Sequence, residues 1–322
     1  VPSSRHVART ATTSPLGIEI DPIAVSRARR QALRAEVQTL AAPPRLVGLL
    51  ATDARPSRVY ARYTARAAAE VGVDFQLRRV DRYELEAAID EANADPSVHG
   101  IMVYYPVFGV VHDNYLKDQV APHKDVEGLH SRWAHELYRG EGPASASRDG
   151  AAPGASGSSP LLPCTPLAIL ALLDAAGVPR VEGDRARTAV VFNRSEVVGR
   201  PLAAMMAREG ARVLSFDEDG VVEVTGTERG TRWRDASVTR AEALAEADVL
   251  VTGVPSQDFP LIRAEEIRAD VAAVNFSTLR NFTPEAAAKA RVWVPRVGPM
   301  TVTMALSNLV RLYRAHEARG ER

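Results

Sequence analysis

The segment FNRSEVVGRP (192–201) joins an apolar run, RTAVVFN (187–193), to a helical stretch at 198–208. A strand that turns into a helix directs backbone N–H groups and the positive helix end toward an anion, as in sites that hold a dinucleotide pyrophosphate. Asn193, Arg194, Ser195, Val198 and Gly199 are the candidate contacts. Only Gly199 matches the usual glycine series, so a plain α/β connection has the same pattern. Asp217 ends the next apolar run about twenty residues on, where a carboxylate accepts from a ribose 2′-OH and repels a 2′-phosphate. That favours NAD over NADP. Glu218 and Asp219 can share the role, a solvated acidic turn is the bland alternative, and control by Arg194 or Arg200 would favour NADP. Gly253, Val254 and Pro255 in TGVPS (252–256) end a further strand and are candidates for the nicotinamide half, or a plain strand exit.

Other reactive side chains are sparse. Lysine occurs only at Lys117, Lys124 and Lys289, which leaves few amines for base chemistry. A single cysteine, Cys164, excludes an internal disulfide and suits a reducing compartment. With no His–Asp arrangement beside it, a packed thiol is the expectation rather than a nucleophile. The histidines show no metal-ligand spacing, so no metal is expected. Lys+Arg and Asp+Glu both total 40, and this zero net charge provides no global field for nucleic acid or an anionic membrane. No apolar run approaches the length of a membrane span.

Strands and helices alternate around these residues. RLVGLLA (45–51), FQLRRV (75–80) and HGIMVYYP (99–106) read as strands, with helices at 57–71 and 84–93 between them. Parallel strands with covering helices are expected. EGPASASRDGAAPGASGSSP (141–160) has hardly a bulky side chain and reads as a flexible linker. PCTP (163–166) opens a second unit, with Thr165 as candidate N-cap and Pro166 at the first helical position. RTAVVFN, ARVLSF (211–216), ADVLVTG (247–253) and VAAVNF (271–276) supply four strands of a doubly wound domain. The polar 218–240 reads as an insertion after the second strand, and 300–317 as a helix that packs back on the first domain. The first eighteen residues carry basic and hydroxyl side chains without an acid, which reads as a disordered tail or, less well, a transit segment.

The ordered series SRVY (57–60), DPSVHGIMVYYP (95–106), KDVEGL (124–129), LPCTP (162–166), NRSEVVGRP (193–201) and VGPMTV (297–302) resembles the methylenetetrahydrofolate dehydrogenase/cyclohydrolase family over about 44–312. VYYPVFG, KDVEGLH, PCTPLAI and NRSEVVGRPLAA resemble its monofunctional, NAD-dependent fungal-type branch more closely. The resemblance implies a two-domain α/β fold. An N-terminal α/β folate-binding domain (1–161) would be completed by the C-terminal helix (298–322), with a Rossmann-like, doubly wound NAD-binding domain at 162–297. It also implies a homodimer; a cleft between the domains is expected to hold both substrates, and the expected compartment is the cytoplasm, ahead of the mitochondrion.

In bifunctional members a tyrosine is followed four residues later by the lysine central to cyclohydrolase chemistry. Here Tyr60 is followed by Thr64, and Arg66 lies about 200° from Thr64 around the helix, with a guanidinium that holds its proton too tightly to serve. Tyr104 stands where those members carry a glutamine that supports the lysine. The resemblance implies that Tyr60 lines the folate ring and that Glu127, commonly Asp in relatives, bonds the pterin edge. Ser57 and Asp125 join the substrate-site candidates, Asp125 more as a loop-fixing residue. Lys124 reads better as a loop brace than as a ligand. At the C-terminal wall the chain reads VPRVGPMTV (294–302) without the family's paired glycines, so Gly298, Pro299 and Thr301 are its candidates. The expected activity is NAD-linked oxidation of 5,10-methylenetetrahydrofolate with hydrolysis lost or weak. The alternatives are a bifunctional enzyme and a folate-binding pseudoenzyme.

Overall fold

The computed structural model describes residues 11–14, 17–139, 161–318 and 320. They divide into two compact units. In chain order the elements begin with β1 (Ala11–Ser14), β2 (Gly17–Ile20), α1 (Pro22–Val37), β3 (Arg45–Leu50), α2 (Arg55–Val71), β4 (Asp74–Arg79), α3 (Leu85–Ala94), β5 (Gly100–Val103), α4 (Val110–Gln119) and α5 (Ser131–Arg139). They continue with α6 (Cys164–Ala175), β6 (Val181–Glu182), β7 (Arg185–Ala186), β8 (Thr188–Phe192), α7 (Gly199–Arg208), β9 (Arg212–Asp217), β10 (Gly220–Thr227) and β11 (Gly230–Asp235). The last are α8 (Arg240–Glu246), β12 (Val249–Thr252), β13 (Ala272–Asn275), α9 (Pro284–Lys289), β14 (Val292–Val294) and α10 (Gly298–Ala318).

The unit that holds Arg27–Glu136 and the residues from Val302 onward is built on a parallel sheet in the order β4-β3-β5. β3 is central and covered on both faces, which is why RLVGLL is apolar without alternation. Val47, Leu49, Leu85, Ile89, Ile101, Val103 and Leu116 pack into one core. α2 ends at Gly72, whose φ of 89° lets its N–H return to Ala68 O. Gly100 admits close packing: a Cβ there would lie 2.4 Å from Val126 Cγ1 and 2.6 Å from Leu309 Cδ1. The 124–129 loop therefore lies directly against β5, with Ile101 N–H donating to Lys124 O at 2.7 Å.

The other unit, holding Thr165–Thr301 and the described residues before Arg27, has a nine-stranded sheet ordered β1-β2-β14-β13-β12-β8-β9-β10-β11. Its parallel centre, β9-β8-β12-β13-β14, is a doubly wound order that reverses direction between β8 and β12. A ligand crevice belongs at the carboxyl ends of those two strands. One expectation takes a definite form here, the insertion after the second strand, and one is corrected. The 218–240 segment continues the sheet as the antiparallel β10–β11 hairpin, because β9 is an open edge and Val224 is buried against it. α6 starts at Cys164, so Thr165 is inside the first turn and not its N-cap. β14 and β2 were not anticipated: each is three or four residues long and gains its hydrogen bonds from a neighbour remote in sequence. Part of the stretch expected to be a disordered tail is thus strand, and 1–10 lies outside the described residues, as does the expected linker at 141–160.

Lys124 links the loop to the sheet's covering helix. Its Nζ donates to Ala92 O at 3.0 Å, Asn93 O at 2.8 Å and Asp95 O at 2.7 Å, which caps the end of α3. Lys124→Met keeps most of the stem but strands these carbonyls, so urea denaturation should show a loss of about 2–3 kcal/mol. A change within about 0.5 kcal/mol would remove this role.

Candidate active site

Ser57, Tyr60 and Thr64 fall at i, i+3 and i+7 and share one face of α2. Ser57 and Thr64 are buried and Tyr60 half-buried, while Arg66 is exposed. Thr64 Oγ1 donates to Tyr60 O at 3.0 Å, so its hydroxyl is turned onto its own helix, with Met102 Sδ at 4.0 Å. Tyr104 follows β5 and meets Tyr60 edge to face, ring centroids 5.9 Å apart and planes at 78°. The buried Tyr104 hydroxyl has no hydrogen bond of normal geometry among the described residues, and the same holds for Tyr105. Burial, and secondarily the charge of Glu127, pushes the Tyr60 phenol well above its ordinary range, and burial does the same for Tyr104.

Glu127 completes this cluster from the 124–129 loop. Loss of solvent raises its carboxyl from 4.5 to about 8, the Asp125 charge adds to the rise, and the Val103 backbone and Lys117 oppose it. At neutral pH it is largely a neutral acid able to donate a hydrogen bond. Asp125 faces the other way: Oδ1 accepts from Glu127 N at 3.1 Å and Gly128 N at 3.0 Å, and Oδ2 from His130 N at 2.8 Å. Its acceptors are used within the loop, which makes Asp125 a loop-fixing group. Cys164 is a packed thiol, with Sγ donating to Val126 O at 3.2 Å and burial raising its pKa. The cluster offers phenols, a hydroxyl and a neutral acid, but no amine on the Tyr60 face.

In the other unit the 192–201 turn is organised by Asn193. Its Oδ1 accepts from Ser195 N at 3.0 Å and Ser195 Oγ at 2.7 Å, while Nδ2 donates to Gly253 O at 3.0 Å. One side chain thus ties the ends of β8 and β12 at the reversal point. Gly199 opens α7, and a Cβ there would lie 1.9 Å from Asn193 O, so no larger residue fits this turn. Gly253 is less constrained: a Cβ there would lie 1.8 Å from Phe276 Cζ, so the ring and not the backbone would have to move. Val198 lies immediately before α7. Val254 N–H donates to Asn281 Oδ1 at 3.0 Å, and Val254 O accepts from Ser277 Oγ at 3.0 Å and Asn281 Nδ2 at 3.0 Å, which fixes the backbone leading into Pro255.

Asp217 ends β9 and pairs with Arg194, Nη1 to Oδ1 at 3.0 Å. Arg194 Nη2 also donates to Ser215 O at 2.9 Å and Gly220 O at 2.6 Å. Asp219 N–H takes a second position on Oδ1 at 2.9 Å, and Oδ2 accepts no bond among the described residues. Gly298, Pro299 and Thr301 form the first turn of α10, where Thr301 Oγ1 donates to Val297 O at 3.4 Å. They belong to the same unit as the 192–201 turn, not to that of Tyr60. Asn275 and Asn281 were missed by sequence reasoning. Asn275 had a signal, a polar residue closing a buried strand, whereas Asn281 had none.

Two family descriptions match the chain: tetrahydrofolate dehydrogenase/cyclohydrolase, catalytic domain, over residues 20–127, and tetrahydrofolate dehydrogenase/cyclohydrolase, NAD(P)-binding domain, over residues 163–317. The chain belongs to the tetrahydrofolate dehydrogenase/cyclohydrolase family. It is 35% identical over 306 residues to methylenetetrahydrofolate dehydrogenase (NAD+) of Dictyostelium discoideum, covering 92% of this chain and 94% of that one. To methylenetetrahydrofolate dehydrogenase (NAD+) of Schizosaccharomyces pombe it is 37% identical over 293 residues, covering 87% and 88%. The solved NAD-dependent 5,10-methylenetetrahydrofolate dehydrogenase from Saccharomyces cerevisiae matches with a TM-score of 0.84 at 32% identity, covering 94% of this chain and 99% of that one. The family's catalytic region thus takes in the Tyr60–Thr64–Tyr104–Glu127 cluster, and its NAD(P)-binding region the turn at Gly199.

The state of Glu127 can be read from stability. Its folded pKa lies above its ordinary value, so the native state keeps a proton that the unfolded chain sheds, and this group's contribution falls as pH rises from 4.5 to about 8. Glu127→Gln removes that dependence. Urea midpoints should therefore diverge in favour of the variant across this window and run parallel above it, whereas equal slopes throughout would contradict a buried neutral acid.

Proposed function

We propose that this protein oxidises 5,10-methylenetetrahydrofolate to 5,10-methenyltetrahydrofolate with NAD, and that hydrolysis of the methenyl product is weak or absent. The observation that carries the second half is Thr64: the side chain four residues after Tyr60 is a buried hydroxyl bonded to the helix backbone. Removing a hydride from the methylene bridge leaves a cation shared by N5 and N10, and no proton moves in that step. Placement and a tolerant electrostatic field are sufficient for it. Ring opening needs water addition and proton transfers, for which a positioned acid–base group matters, and here the Tyr60 face lacks an amine.

Bound NAD supplies the hydride acceptor. The turn that starts α7 presents N–H groups to its pyrophosphate, and Asn193 holds that turn to the strand exit at Gly253. Asp217 Oδ2 is available to accept from a ribose hydroxyl, and Arg194 is already neutralised by Asp217, which argues against a 2′-phosphate there. Tyr60 packs the folate ring and the protonated Glu127 donates to an acceptor on its edge. We further propose a homodimer acting in the cytoplasm, on the family resemblance and, for the compartment, the single reduced cysteine.

The test follows reduced nicotinamide and methenyl-folate together, with NAD and with NADP. Expected are NADH formation, accumulation of methenyl product, and its decay at the spontaneous rate. Hydrolysis well above that rate would restore the bifunctional alternative, and absence of NADH would favour a folate-binding pseudoenzyme. Asp217→Asn should lower kcat/KM for NAD by about tenfold, the weight of one charge-assisted hydrogen bond, and raise it for NADP by freeing Arg194. An unchanged NAD/NADP ratio would take Asp217 out of cofactor choice.

A further inference from the structure

A dinucleotide crosses the nucleotide-binding sheet in one direction. Its pyrophosphate belongs at the α7 turn after β8, its nicotinamide half toward Gly253 just past β12, and its adenosine ribose at Asp217, the end of β9. The sheet order is β12-β8-β9-β10-β11, so the group that follows the ribose falls at the β10–β11 hairpin. We propose that this hairpin binds the adenine of NAD, with the Trp233 ring against the base and the Asp235 carboxylate accepting from its exocyclic amine. The inference rests on the cofactor reading above.

A cavity joins the ribose acceptor to the hairpin. Its volume is about 670 Å³, within the range of small-molecule sites, and Arg194, Arg200 and Asp217 line it together with Val222, Trp233 and Asp235. Among the described residues Trp233 is the only aromatic side chain in that lining. Thr231, Trp233 and Asp235 alternate onto one face of β11. That face is turned to α7, because Gly226, the cross-strand pair of Thr231, would place a Cβ 2.4 Å from Ala207 O. β11 lies two strand spacings beyond β9, roughly 10 Å. A base attached to a ribose at Asp217 therefore enters the cavity that Trp233 lines.

The indole is held for contact and is not folded into the core. Trp233 is half-buried, and Val224 opposite it supplies the buried packing. Its Nε1 donates to Thr231 Oγ1 at 2.9 Å, Tyr138 meets it edge-on with centroids 6.3 Å apart, and the Arg200 guanidinium carbon lies 5.5 Å from its ring centroid. With its one donor satisfied, the ring offers a π surface on which any base can stack. Selection among bases needs a polar group at the base edge. Asp235 makes no ion pair or side-chain hydrogen bond among the described residues, and Arg194 and Arg200 are taken by Asp217 and Glu196. Its free carboxylate accepts from the amine of adenine and repels the carbonyl oxygen that replaces it in hypoxanthine.

The experiment uses the full chain and its Trp233→Leu, Trp233→Phe and Asp235→Asn variants, with ADP-ribose as the probe of the adenosine half. Calorimetry should show ADP-ribose binding about tenfold weaker in Trp233→Leu, the weight of one stacked base, and less affected in Trp233→Phe. Stacking on an indole quenches its emission. The chain's other tryptophans are Trp133 and Trp293, so ADP-ribose should quench the wild-type fluorescence and leave that of Trp233→Phe unchanged although it binds. The wild-type chain should bind NAD about tenfold more tightly than nicotinamide hypoxanthine dinucleotide, and Asp235→Asn, whose amide can turn to either base, should lose that preference. Undiminished binding in Trp233→Leu, a quench that survives Trp233→Phe, or no preference between the two dinucleotides in the wild type would overturn the adenine site. If ADP-ribose binding depends on Trp233 but the chain forms no NADH, the adenine site stands and the dehydrogenase reading fails. NADH formed by a chain whose NAD affinity does not depend on Trp233 removes the adenine site alone. Thermal unfolding checks that each variant folds, and Trp233→Phe carries the test if Trp233→Leu does not.

Discussion

Asp125 and Lys124 grip the 124–129 loop with opposite charges. Asp125 gathers three backbone N–H groups inside the loop, and Lys124 reaches out to three carbonyls that end α3. Both side chains are almost fully buried, so each would carry a desolvation penalty without these bonds. The bonds lay the loop along β5 and leave Glu127 as the loop acid that is not consumed by its own backbone. The character of the folate-domain cluster depends on that. A carboxyl held between Asp125 and buried phenols keeps its proton at neutral pH, and a neutral donor recognises a heterocycle's edge differently from an anion.

The nucleotide-binding unit uses one amide in a comparable way. Asn193 closes the turn after β8 and reaches β12, so the turn and the strand exit are held as one surface. Gly199 makes this possible by leaving room for Asn193 where a Cβ would collide. Asn275 and Asn281 extend the control along the exit of β12: Asn281 N–H donates to Asn275 Oδ1 at 3.1 Å while its side chain holds Val254. These are buried polar groups with their bonds satisfied, which rigidify a site at little net cost.

The long elements were legible from pattern. α2 and α7 are apolar stretches of helical length, and β3, β8 and β12 are short unbroken apolar runs, the mark of strands covered on both faces. β2, β14 and the β10–β11 hairpin were not, since short or polar strands form when an open sheet edge supplies hydrogen bonds. The start of α6 was displaced for a related reason. Thr165 has the chemistry of a cap, but Cys164 N–H already donates to Glu127 O across the fold at 3.2 Å, and the helix begins from there.

By itself the sequence determined that a threonine follows Tyr60 at one helical turn, that Tyr104 ends a buried strand, and that a lone glycine opens the α7 turn. Residue identity and local period suffice for such statements, including that the amine of bifunctional relatives is missing. Only the tertiary structure decided that Thr64 bonds its own helix, that Glu127 holds a proton, and that Arg194 is neutralised by Asp217. Those properties come from desolvation and charge pairing, which are set by groups brought together from remote parts of the chain.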